Sequence, residues 1–329
     1  MRPSNLCLWQ QVLETERNMK VVIGYDGSDS AQEAIRGLHR AGLPADAEVL
    51  VVSVADMSPP LPRESEAAAS AISRWHESPI VRTAQALADE TRVQAQTFAA
   101  EGANLVKSEF PGWKVSHAAF AGSPSLALVQ ASEEADLLVV GSHGRSVVAR
   151  FVLGSVSQNV LSYSSCSVRV SRSAGGDFKR DATVRIVLAV DGSPDAALAV
   201  SAVAARTWPA RTEVKAIAVL DAKFWSALAN PAASAWAWAA AAEEDGRSWA
   251  CRAVDDVARV LRSAGLETTP LVESGDPKRV LLDEAERWNA DCIFVGAKGH
   301  GRVERFLIGS VSAAMAARAQ CSVEVVRQG

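Results

Sequence analysis

The 329-residue sequence predicts an α/β protein of two doubly wound domains, each built on a five-stranded parallel sheet. Three observations lead there. First, the chain repeats itself. Asp136-Leu-Leu-Val-Val-Gly141-Ser-His-Gly144, nine residues, then Gly154-Ser155-Val156-Ser157 returns as Asp291-Cys-Ile-Phe-Val-Gly296-Ala-Lys-Gly299, nine residues, then Gly309-Ser310-Val311-Ser312. The offset is a constant 155, and eleven of the 22 aligned residues are identical, so a globular domain is duplicated. Second, short apolar runs alternate with helix-periodic segments, the pattern of a parallel sheet. Third, the connections are short, about two to six residues, as βα and αβ loops are.

The elements follow in the same order in both halves. Val21 to Tyr25 and Arg185 to Val190 are aliphatic runs that read as strands buried on both faces. They end in Asp26-Gly27-Ser28 and Asp191-Gly192-Ser193, and alanine-rich helices follow, Ala31 to Ala41 and Asp195 to Arg206. Pro194 suits a first helical turn. Strand two is Glu48 to Val54 and Glu213 to Val219. A less similar stretch leads to helices at about Thr91 to Leu105 and Ser248 to Ala264, then to third strands at Lys114 to Phe120 and Thr268 to Glu273. A helix, the fourth strand (Leu137 to Val140; Cys292 to Val295) and the glycine loop come next. Each half closes with a helix after Gly154 or Gly309 and a fifth strand, Ser167 to Val170 and Ser322 to Val326. The expected division is an N-terminal extension (1–18), domain 1 (19–171), an aperiodic linker (172–182) and domain 2 (183–329).

Composition narrows the function. With 48% hydrophobic and 22% charged residues, the chain reads as a soluble globular protein. A net charge of -4 offers no basic footprint for nucleic acid. Cysteines 7, 166, 251, 292 and 321 form no CxxC pair and no metal spacing with the five histidines. No metal site is expected, and the scattered set fits a reducing, cytoplasmic compartment. Cys166 and Cys321, at equivalent repeat positions, read as buried small hydrophobes. Residues 1–18 lack the apolar core of a signal peptide and are expected to be dispensable. The segment 224–249 carries Trp225, Trp236, Trp238 and Trp249, but Asn230 and Pro231 argue against a membrane span. It reads as a helix over the pocket mouth or on a partner.

In such a sheet the ligand crevice opens at the carboxyl ends of the strands, where the winding direction changes. The repeated motifs fall there. Glycines at 141, 144, 296 and 299 would let backbone N–H groups approach an anion, and the helices opened by Gly154-Ser155 and Gly309-Ser310 present their uncompensated first N–H groups. Ser155, Ser157, Ser310 and Ser312 are candidate hydroxyl donors, and His143, Arg145, Lys298 and His300 bring cationic or titratable groups to the loops. Asp26 and Asp191 stand where a ribose or base could donate to a carboxylate. No GxxxxGK[ST] and no GxGxxG occurs.

With G-x2-G-x9-G-S-V-S paired to Asp-Gly-Ser twice, both halves resemble the universal stress protein family, whose nucleotide-binding members carry G-x2-G-x9-G(S/T) after strand four. The resemblance implies a Rossmann-like 3-2-1-4-5 sheet, pairing of the domains through the last strand, and ATP, with Mg2+, as ligand. Carried over, Asp26 and Asp191 contact adenosine, and Val54 and Val219 line the adenine through backbone groups. Gly141, Gly144, Gly154 and Ser155 hold phosphates in the first half; Gly296, Gly299, Gly309 and Ser310 do so in the second. Gly27, Gly192, Val156 and Val311 complete the candidate set. Ser53 and Ala218 stand where the family often has histidine, and Ser167 and Ser322 where it often has proline.

The expected function is a cytoplasmic ATP-binding stress-response regulator with one site per domain and at most slow hydrolysis, since no catalytic constellation or general base stands beside the loops. The alternative is a nucleotide-free structural or partner-binding scaffold using segment 224–249. A nucleotidyl-transferring enzyme would need an HxGH or SGGxD loop, which is missing. Neither nucleic acid nor membrane is an expected partner. The halves are expected to pack as an intramolecular pseudo-dimer, and a homodimer of such chains would be a four-domain assembly.

Overall fold

The computed structural model describes residues 18–57, 79–144, 153–172, 183–221, 235–299 and 308–328, with 79–87 and 235–245 described by their backbone alone. The expected extension and linker, all but residues 18 and 172, lie outside the described residues, as do Arg145, His300 and residues 224–234.

The first half runs β1 (Lys20–Gly24), α1 (Asp29–Arg36), β2 (Glu48–Asp56), α2 (Pro79–Glu109), β3 (Lys114–Gly122), α3 (Pro124–Ala131), β4 (Leu137–Gly141), α4 (Ser155–Tyr163) and β5 (Ser167–Ser171). The second runs β6 (Arg185–Ala189), α5 (Pro194–Ala205), β7 (Glu213–Leu220), α6 (Ala235–Ser263), β8 (Glu267–Ser274), α7 (Pro277–Arg287), β9 (Cys292–Gly296), α8 (Ser310–Arg318) and β10 (Ser322–Val326). The strands fall where the apolar runs place them. The long helices do not: α2 and α6 begin about a dozen residues earlier than periodicity indicates. Both early segments are rich in alanine and other good helix formers but lack a regular apolar stripe, so propensity sets the start.

All ten strands join one sheet, ordered β3-β2-β1-β4-β5-β10-β9-β6-β7-β8. Within each half the strands are parallel, in the order 3-2-1-4-5. The halves meet through the antiparallel pair β5–β10. On one face a single apolar core runs across both halves, from Leu138 and Val168 to Ile293 and Val323, covered by α3, α4, α7 and α8. On the other face the core is divided: α1 and α2 cover Ile23 and Val139, and α5 and α6 cover Leu188 and Phe294. Leu137 and Leu138 therefore bury on opposite faces, as a strand sandwiched between helix layers requires.

The order reverses between β1 and β4, and between β6 and β9, which places a crevice at the carboxyl ends of those strands. The first residue of the repeat fixes their amino ends. Asp136 accepts from Lys20 N at 2.7 Å and Asp291 from Arg185 N at 2.8 Å, locking strand four beside strand one.

Candidate functional site

In each half the Asp-Gly-Ser turn leaves strand one and starts a helix. Asp26 Oδ1 accepts from Ser28 N at 3.0 Å and Ser28 Oγ at 2.6 Å; Asp191 Oδ1 accepts from Ser193 N at 2.9 Å. Ser28 and Ser193 in turn cap their helices by accepting from Ala31 N and Ala196 N, each at 3.2 Å. The intervening glycines are left-handed, φ +77° at Gly27 and +76° at Gly192. An aromatic ring closes over each: a Cβ would stand 2.5 Å from the Phe98 ring at Gly27 and 2.4 Å from the Trp249 ring at Gly192. The long helices α2 and α6 thus reach the site through these rings; Trp249 belongs to the Trp-bearing segment 224–249, whereas sequence patterning does not single out Phe98.

The second oxygen of each aspartate meets the glycine loop. A Cβ on Gly144 would lie 3.0 Å from Asp26 Oδ2, and one on Gly299 would lie 2.8 Å from Asp191 Oδ2. Asp26 is half-buried and Asp191 exposed. At the start of the loop, Gly141 packs on Ser30 and Gly296 on the backbone of Asp195, where a Cβ would come within 2.6 and 2.5 Å. The loop is then tied to the following helix. Gly154 N donates to Ser142 O at 2.8 Å and Gly309 N to Ala297 O at 2.7 Å.

Gly154 and Gly309 are the N-caps of α4 and α8, and a glycine cap supplies no side-chain acceptor for the first helical N–H groups. The contrast with α1, α5 and α7, capped by Ser28, Ser193 and Asp276, is direct. Ser155 and Ser310 are exposed at these ends. Ser157 and Ser312 are not: their hydroxyls donate inward to Gly141 O at 2.7 Å and Gly296 O at 2.6 Å. Each of these hydroxyls is thus engaged with the carbonyl that ends its strand. Val156 and Val311 pack their side chains on the shared core, leaving only backbone toward the loop. Val54 and Val219 do the same from β2 and β7.

The loops differ at their third position. Ser142 Oγ and His143 Nδ1 lie 2.9 Å apart. In the second half Lys298 N donates to Asp195 Oδ2 at 2.9 Å, and Lys298 O accepts from Ser193 Oγ at 3.2 Å. Asp195 is a loop component that the repeat alone conceals, because its counterpart is Ser30. Tyr25, just before Asp26, packs its ring on Gly102 of α2. Burial, then Glu101 and Asp26, push its phenol above the ordinary range, so it stays neutral.

Neither of two cavities, of about 430 and 420 Å³, is lined by residues of the glycine loops, and the smaller lies at the amino ends of β1, β2 and β3. The larger is lined by both halves, Leu43 and Trp113 from one and Trp208 from the other. No described helix is long and apolar enough to cross a membrane.

The model of the universal stress protein family matches residues 17–172 and 183–327. A universal stress protein of Mycolicibacterium smegmatis is 27% identical over 311 residues, covering 93% of this chain and 96% of its own length. One from Mycobacterium tuberculosis is 28% identical over 313 residues, covering 94% and 97%. The crystal structure of a universal stress protein from Archaeoglobus fulgidus shares the fold, with a TM-score of 0.60 and 21% identity over 94% of this chain and 96% of that one. With two matched segments on two copies of one sheet, glycine loop and capless helix, the chain belongs to the universal stress protein family.

Proposed function

We propose that the chain is an ATP-binding regulatory protein of the stress response, with one nucleotide site at the carboxyl ends of the strands in each half. The carrying observation is that a carboxylate at the end of strand one abuts the glycine loop, twice, beside a helix whose cap has no side chain. A carboxylate accepts from hydroxyl or amino donors, and glycine-lined backbone at a helix N-terminus favours phosphate. Asp26 and Asp191 would take the nucleoside end. The loop from Gly141 to Gly144 and the helix start from Gly154 to Ser155 would take the phosphates, as would Gly296 to Gly299 and Gly309 to Ser310. Val54 and Val219 offer backbone to the base. Mg2+ would arrive with the triphosphate, offsetting charge on oxygens that the loops do not reach. The reading is of a binder with at most slow turnover, a point that an ATPase assay of the whole chain checks.

Calorimetric titration of the whole chain with ATP and Mg2+ tests this. The expected stoichiometry is about two per chain, falling to about one in Gly154→Val or Gly309→Val and to none in the double variant. A Cβ at these caps meets loop backbone at 3.4 and 3.2 Å, so the branched side chain closes the loop. No heat and no protection from thermal unfolding at millimolar ATP would overturn the reading.

A further inference from the structure

The β5–β10 ladder sets Val168 opposite Val325, Arg169 opposite Glu324 and Val170 opposite Val323. By the 155-residue offset, the repeat counterpart of Val168 is Val323, that of Arg169 is Glu324, and that of Val170 is Val325. Of these three rungs, only the middle one sets a residue against its own counterpart. The pseudo-twofold axis of the chain therefore passes through a pair of opposite charge.

That pair is deeply buried, with Arg169 1% and Glu324 0% exposed. Arg169 Nη1 donates to Glu324 Oε2 at 3.2 Å and to Cys292 Sγ at 3.2 Å. Arg206 supplies a second guanidinium, donating from Nη1 to Glu324 Oε2 at 2.9 Å and from Nη2 to Glu324 Oε1. Val168, Val170, Val323 and Val325 pack in the shared core, so the alternating Arg169 and Glu324 lie on the other face of the sheet. Every group that accepts from Arg169 here comes from the second half.

We propose that Arg169 opposite Glu324 is a pairing code: it lets the first half complete its sheet only with a second half, never with another first half. Two first halves joined by the same ladder would set Arg169 against Arg169. The counterpart of Cys292 is Leu137 and, by the 165-residue spacing of the two Asp-Gly-Ser turns, that of Arg206 is Ala41, so that interface would bury two guanidiniums with no carboxylate. Two second halves would bring two Glu324 together, each still beside its own Arg206, and are not excluded by charge. That one-sidedness suffices. Halves occur one to one in every chain, so second halves that paired together would leave first halves with only each other.

The test uses the full chain, refolded from urea at micromolar concentration and sized by light scattering. Wild type returns to its starting size. Arg169→Leu removes the excluded charge and leaves Glu324 with Arg206, so it forms two-chain species on refolding that do not form on mixing folded chains. Glu324→Leu strips the carboxylate from the native pairing itself, so it melts about 10 °C lower because Arg169 and Arg206 both lose their partner; an unchanged melting temperature would show that the pair does not hold the axis. Arg169→Lys, which keeps the cation, refolds like wild type. Should Arg169→Leu fail to fold, R169L/E324L, whose central rung is apolar, exchanges chains. The proposal is overturned if the refolded leucine variants of Arg169 keep the wild-type size, or if R169K exchanges as freely as R169L.

Discussion

At Gly27 and Gly192 two independent demands fall on one atom. The backbone is left-handed, and an aromatic ring occupies the place of a Cβ. Only the first demand is legible in sequence, because Asp-Gly-Ser is turn chemistry, whereas Phe98 and Trp249 arrive from far along the chain. Gly27→Ala should therefore cost about 2–4 kcal/mol, the left-handed penalty plus displacement of the Phe98 ring. Calorimetry should show a melting temperature about 5–10 °C lower. A loss within 1 °C would mean that the ring swings aside freely. Asp195 makes the complementary case, since it takes the Lys298 N–H and sets a carboxylate against the loop that Ser30 leaves neutral. If ATP binds as proposed, Asp195→Ser should tighten the second site several-fold, and Lys298→Ala should weaken it about tenfold by removing a cation near the phosphates. Equal affinities in wild type and both variants would remove these residues from the site.

The central strands were legible at the scale of elements because each is a short aliphatic run with both faces buried, and turn residues mark where it stops. Helix starts were not, since α2 and α6 begin in alanine-rich sequence without an apolar stripe. The seam between β4 and α4 was legible only in part. The repeat marks Ser157 and Ser312 as invariant between halves but does not say which way a hydroxyl points. Both close the loop from beneath by donating to the glycine carbonyl that ends the strand. Ser157→Ala leaves that carbonyl unsatisfied and should cost about 1–2 kcal/mol in urea unfolding. It should also weaken ATP in the first half, although the hydroxyl never faces the ligand. Stability lost with affinity retained would show that the loop keeps its shape without the pin.

Across the whole molecule, the cysteines report how completely the sheet is covered. Cys166 and Cys321 are buried, as their equivalent repeat positions led one to expect; Cys292 is buried too, and Cys251 is exposed. Burial pushes Cys292 up to about 11 and Cys321 up to about 12. A thiol whose pKa is raised by folding leaves stability intact below the unfolded value near 9 and withdraws it as pH rises toward the folded one. The urea midpoint should thus fall between pH 9 and 11, and less steeply in Cys321→Ala; parallel curves would place the loss elsewhere. In native chains carrying Cys7→Ser at pH 8, a thiol reagent should modify Cys251 alone, as read by peptide mapping. Arg169 and Glu324 were visible as one repeat slot holding opposite charges, yet only the assembled sheet shows that the slot lies on the axis.

The antiparallel ladder between β5 and β10 has one more effect. It turns the two halves end for end, so that the carboxyl edge of one lies on the same side as the amino edge of the other. The two glycine loops open toward opposite rims of the molecule. A partner docked on one rim meets the strand ends of one half beside the strand starts of the other. Any message between the two must cross the full height of the shared sheet.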